Sequence, residues 1–155
     1  MTFKNSIHDH LTTLKACPDA VDWAAQHDSP QAAWDACDRG DRMLWIAARL
    51  AGDHGSPSHR LVVLAACACA RIALRFVPAD EPRPAAALAL AERYGQGEAI
   101  TSADLRAAAV AAAYAADAAA DAATYVAIYA DALKSMAGLV RGIIPEVPTS
   151  KENPL

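Results

Sequence analysis

The sequence predicts an all-α protein, a single-domain bundle of about six helices that ends in one long alanine-rich C-terminal helix. Three observations carry this. Alanine supplies 40 of the 155 residues, and it is the strongest helix former and a poor strand former. Prolines follow Cys17, Ser29 and Ser56 directly, at the position where a helix starts and a missing N–H costs nothing. Gly40, Gly52, Gly95 and Gly97 stand where the helical patterns stop. A chain of this length can bury a core without staples. Residues 1–145 read as the domain and 146–155 as a flexible tail.

Taken in order, a short helix around His8 to Lys15 precedes Pro18 to Gln26, then Pro30 to Asp38, which Gly40 stops. Asp41 caps Arg42 to Ala51, and Gly52 ends it. Ser56-Pro57 opens a longer helix to Phe76, after which Pro78, Pro82 and Pro84 force a connection. Pro84 to Tyr94 follows, closed by Gly95 and Gly97. Thr101 or Ser102 caps the last helix, which meets no glycine or proline until Gly138. At 1.5 Å per residue, 102–141 would span roughly 60 Å, whereas a compact domain of this size is about 40 Å across. The helix therefore bends, breaks near its middle, or projects onto a neighbour.

On a helical wheel Ala108, Ala112, Ala116, Ala119, Ala123, Ala127 and Ala130 fall in one stripe, with Leu105 and Leu133 at its ends. So smooth a face suits close helix approach, and pairing with a second copy in a homodimer is one way to cover it. Tyr114, Asp117, Asp121 and Tyr125 lie opposite, with Tyr129 nearby. That side reads either as a solvated face or as an acidic, aromatic docking strip, and these five are the candidate partner-binding residues. In the helix that Ser56-Pro57 opens, Val62, Ala65, Cys69, Ile72, Ala73 and Phe76 make an apolar side, while Arg60, Cys67, Arg71 and Arg75 lie towards the other. Cys67 and Cys69 are then about 200° apart and cannot share a metal. Cys69 reads as core; Cys67 reads as an inert packing cysteine or, beside Arg71, as one with thiolate character. Trp23, Trp34 and Trp45 recur every eleven residues, one per short helix, as anchors to a shared core. The acids near Trp34 either pair internally with Arg71 and Arg75 or face a partner.

Several functions drop out. A net charge of −4 suits no phosphate backbone, so nucleic acid is not expected as a partner. The greasiest run, Leu61 to Val77, is short and carries Arg71 and Arg75, so no membrane partner is expected, and the chain reads as cytoplasmic. Four cysteines in a core-forming chain do not make a disulfide framework. His8-Asp9-His10 resembles a metal-binding tripeptide, and His54 and His59 flank Gly-Ser-Pro-Ser, but no companion motif gives metal-ligand spacing. No nucleophile elbow or glycine-rich phosphate loop is present. The expectation is a non-enzyme without cofactor or metal.

Three stretches together resemble a known family. Residues 15–23, Lys-Ala-Cys-Pro-Asp-Ala-Val-Asp-Trp, are similar to an opening A-C-x-x-A-x-x-W element. Residues 33–45 resemble its most specific stretch, A-W-x-x-C-x-R-x-D-x-M-L-W, and residues 64–71 its cysteine- and alanine-rich helix. The family is that of immunity proteins with an immunity-protein-5-like domain, from bacteria and phages. Met136 and Gly138 stand where it usually has cysteine and aspartate. The resemblance implies a binding protein that neutralises a cognate toxin or other intracellular effector, without catalytic residues. The alternative is a helical structural or small-molecule-binding module that self-associates through its alanine face.

Overall fold

Serine and threonine hydroxyls start three of the helices. Ser29 Oγ accepts from Ala32 N at 3.0 Å and Ser56 Oγ from His59 N at 3.2 Å, each satisfying one of the first-turn N–H groups. Thr101 and Asp104 form a reciprocal capping box, with Asp104 N donating to Thr101 Oγ1 at 3.1 Å and Thr101 N donating to Asp104 Oδ2 at 3.3 Å. The computed structural model describes residues 3–108 and 126–148. Its helices are α1 (Phe3–Thr13), α2 (Pro18–Ala24), α3 (Pro30–Ala36), α4 (Gly40–Leu50), α5 (Pro57–Ala73), α6 (Arg83–Gly95) and α7 (Val126–Ile143). A 3-10 turn at Leu74–Phe76 extends α5, and residues 102–108 are also helical. No strand occurs among the described residues. None of the described helices is long and apolar enough to cross a membrane.

Helix α5 lies between α6 and the pair formed by α4 and α7, while α1 packs on α2. The core centres on Trp34, Cys37, Met43, Ala47, Ala65, Cys69, Ala137 and Val140. Leu133, Ala137, Val140 and Ile144 are all buried and continue the alanine stripe at helical spacing, so the expected packing side faces inward over this part. The continuity of the expected 102–141 helix depends on 109–125, which lie outside the described residues.

The C-terminal arm is tied to α3 by polar bonds as well as packing. Trp34 Nε1 donates to the Ile144 carbonyl at 3.0 Å, and the Arg141 guanidinium donates to the Cys37 carbonyl. Gln31 donates to Pro145 O at 3.1 Å and accepts from Val147 N at 2.8 Å. The Arg141 guanidinium thereby satisfies a carbonyl that the end of seven-residue α3 leaves open. Val147 packs against the core; residues 149–155 of the expected tail lie outside the described residues.

Four local expectations are corrected. Gly40 does not merely stop α3; it opens α4. A Cβ there would lie 2.4 Å from Met136 Cβ and 2.7 Å from Ala137 N, so glycine is what allows α4 to press against α7. Asp41 is not the cap, since it sits within the first turn and pairs with Arg39 through two bonds of 2.9 and 2.7 Å. Arg71 reaches across to Glu92 on α6 at 2.5 and 2.6 Å rather than to the acids near Trp34. Ala73 is exposed, because α5 is already tightening into its 3-10 turn.

Candidate functional site

The corner between α1 and α2 is built on an unusual backbone. Lys15 has φ of 61°, the left-handed region that L-residues enter at a cost of about 1–2 kcal/mol. It closes α1 in a Schellman pattern, with Ala16 N donating to Leu11 O and Lys15 N donating to Thr12 O, both at 2.9 Å. Cys17 and Pro18 then start α2 at once. This tight turn swings α2 so that Trp23 faces α3 and α4 across a gap.

The gap is an open cavity of about 530 Å³, within the range of small-molecule sites. Trp23, Trp34 and Trp45 all line it, with Ala20 and Ala33 between them, Val147 from the C-terminal arm, and Lys15, Asp41 and Arg42 as the charged groups. The three tryptophans were expected to anchor one core. Trp34 does so and is 4% exposed. Trp23 and Trp45 are only partly buried, because their rings stand around space rather than within packed atoms. Trp23 lies 4.5 Å from the His27 ring, and Arg49 sits 5.3 Å over Trp45, so each has one partner on its outer side.

The site's electrostatics are lopsided. Both Asp41 oxygens are engaged by Arg39, and that guanidinium holds the Asp41 carboxyl below its usual range. Burial pushes the Cys37 thiol up, outweighing the nearby positive charges of Arg42 and Arg141. It stays a neutral thiol, donating weakly to Arg39 O at 3.6 Å. Arg42 Nε is buried with no hydrogen-bond partner among the described residues.

A second aromatic cluster lies at the junction of α5 and α6. Tyr94, 1% exposed, stacks on His54 at 4.7 Å and meets His59 edge-on at 5.6 Å. Its hydroxyl accepts from Gly55 N at 2.7 Å and lies 2.7 Å from His59 Nδ1. Arg60 lies over the ring at 5.0 Å and donates to the Tyr94 carbonyl at 2.7 Å. Burial, then the charges of His54 and Arg60, hold His59 below the usual histidine pKa. In the neutral ring Nδ1 can accept the Tyr94 proton. In the sequence His54 and His59 flank a turn and Tyr94 stands at a helix end, and no local pattern joins them.

Of the five candidate partner residues, Tyr114, Asp117, Asp121 and Tyr125 lie outside the described residues. Tyr129 is on the helical backbone of α7, and its side chain is outside the description. Among the described residues no three histidine, cysteine or acidic side chains converge as a metal group. Cys67 is buried against α6, and burial followed by the Glu92 charge raises its pKa to about 11. It is the inert thiol of the two readings.

Two of the three stretches quoted from the sequence, 15–23 and 33–45, meet in the cavity, and the third, 64–71, does not line it. Ala16, Cys17, Ala20 and Trp23 come from the first, and Ala33, Trp34, Cys37, Asp41, Met43 and Trp45 from the second. The arginine and aspartate of the second stretch are the Arg39–Asp41 pair. The chain matches no protein-family model, no curated protein and no solved structure. Arg42 belongs to the charged residues that surround the tryptophans in the sequence, whereas nothing in its stretch marks Lys15 as a cation of the same cavity.

Proposed function

We propose that this chain is a non-catalytic, immunity-type binding protein that neutralises a cognate toxin or other intracellular effector in the cytoplasm by covering it. One observation supports this above the rest: two of the three stretches read as resembling the immunity family, 15–23 and 33–45, gather around one open cavity. Partly buried tryptophans and an arginine are the residue types that dominate binding energy at protein interfaces. A net charge of −4 would favour encounter with a basic partner over nucleic acid or an anionic membrane. In this reading 102–141 form one long alanine-rich helix of an about six-helix bundle, and Tyr114, Asp117, Asp121, Tyr125 and Tyr129 supply a second contact strip.

Co-expression with the products of neighbouring genes tests the proposal. One of them should arrest growth alone, be relieved by this chain and co-purify with it. Trp45→Ala with Arg42→Glu should abolish relief if the cavity is the contact. Asp117→Lys, Asp121→Lys and Tyr125→Ala together should abolish it if the strip is. A toxic neighbour that this chain neither binds nor relieves would overturn the reading.

A second reading, a small-molecule-binding module that self-associates through its alanine face, is favoured by the size of the cavity. Sedimentation should then show a dimer that dissociates on dilution; a monomer at every concentration would remove the self-associating form.

A further inference from the structure

The cavity walled by Trp23, Trp34 and Trp45 is lined by two cations, Lys15 and Arg42, and by one anion, Asp41, which Arg39 holds. Arg42, in the first turn of α4, lines it with Nε buried and unpartnered among the described residues. A buried donor without an acceptor costs about 1–3 kcal/mol, and more for a charged group. The adjacent Asp41 carboxylate, held by Arg39 at 2.9 and 2.7 Å, makes no bond to this Nε. The Cys37 sulfur offers none either, since its own hydrogen bond runs to Arg39 O. Lys15, exposed on the α1–α2 corner, adds a second cation to the lining, held there by a left-handed backbone that a glycine would adopt more easily.

Shape and charge together narrow the occupant. The volume, about 530 Å³, matches one small organic molecule rather than a flat protein contact. An inorganic anion would satisfy Arg42 but leave the partly buried Trp23 and Trp45 indoles against water. A hydrocarbon would cover the indoles but shut the guanidinium away from solvent without an acceptor. A single molecule that does both has an apolar body and one carboxylate, the group whose two oxygens fit a guanidinium.

We propose that this cavity is a binding site for a small amphipathic carboxylate, its alkyl or aryl body between the tryptophans and its carboxylate on Arg42, with Lys15 as a second cation. The site stands independently of toxin neutralisation. A protein partner could cover the same face, and either could hold without the other.

Calorimetric titration of the full chain tests it, using hexanoate to dodecanoate and phenylbutyrate, each against its primary amide. The acids should bind at least about tenfold more tightly than the amides, as a charge-assisted hydrogen bond to an apolar-walled arginine requires. Arg42→Gln should erase that preference while leaving the unfolding midpoint in place, and Arg42→Lys should keep part of it. Lys15→Gly should reduce it by a smaller factor. Trp45→Ala should weaken acid and amide alike. Equal binding of acid and amide, no binding across the whole series, or a preference that survives Arg42→Gln would overturn the assignment. So would tighter binding by an acidic, phenylalanine-bearing peptide than by any free acid, since that would hand the site to a protein partner.

Discussion

The two aromatic regions of this molecule use similar groups to opposite ends. Around Tyr94 every face of the ring is occupied: His54 stacks on it, His59 meets its edge, Arg60 covers it, and the hydroxyl bridges Gly55 and His59. Around the tryptophans the lining leaves open space, and one guanidinium nitrogen has no hydrogen-bond partner among the described residues. The first region is a finished structural joint between α6 and the start of α5. In the second, unfilled volume and unsatisfied polarity coincide, which is how a fold prepared for a further molecule differs from one merely packed loosely.

The contrast is open to direct attack. Tyr94→Ala should cost about 4 kcal/mol, as large aromatic truncations in packed sites do, whereas Trp45→Ala should cost about 1 kcal/mol or less in urea unfolding. Comparable losses would mean that the cavity is closed in solution. Gly40→Ala should be intermediate, about 2–3 kcal/mol, because the new methyl meets Met136 Cβ and the Ala137 backbone rather than a flexible side-chain end. Pushing α4 off α7 should also disturb the cavity wall and reduce acid binding, which links the two measurements. The smallest effect concerns pH. His59 has a folded pKa below its unfolded value, so its contribution is fully present above the unfolded value of about 6.5 and is lost as pH falls through the folded one. The unfolding midpoint should decline with acid in that window, more steeply than in His59→Asn, which keeps an acceptor for Tyr94. Equal slopes would show that the joint tolerates a charged His59.

What was legible in the sequence was local. The helix starts at Pro18, Pro30 and Pro57 stand where they were read, because proline geometry and a serine hydroxyl act within three residues. Angular spacing alone set Cys67 and Cys69 on different sides of α5; both are buried, and only Cys69 belongs to the central core. Gly40 was misread because the backbone it admits comes from residues 136–137, nearly a hundred positions away. The joint at Tyr94 was invisible for the same reason, as its partners sit at 54–60 on another helix. The tryptophans were correctly seen as converging, yet hydrophobicity cannot distinguish a ring that fills a core from one that borders a void. Only the even spacing of the three hinted that they serve one place.

The bonds that join α3 to the C-terminal arm span 104 to 116 residues of chain. During synthesis, the indole of Trp34 and the carbonyl of Cys37 leave the ribosome long before Ile144 and Arg141 are made. Until then α3 and α4 lack the surface that covers them, and the apolar walls of the cavity are exposed to any passing chain. Loop closure over such distances slows folding, so the last step of assembly is the docking of the arm. A nascent chain stalled before Arg141 should therefore stay open to protease at α3, and release of the finished chain should close it.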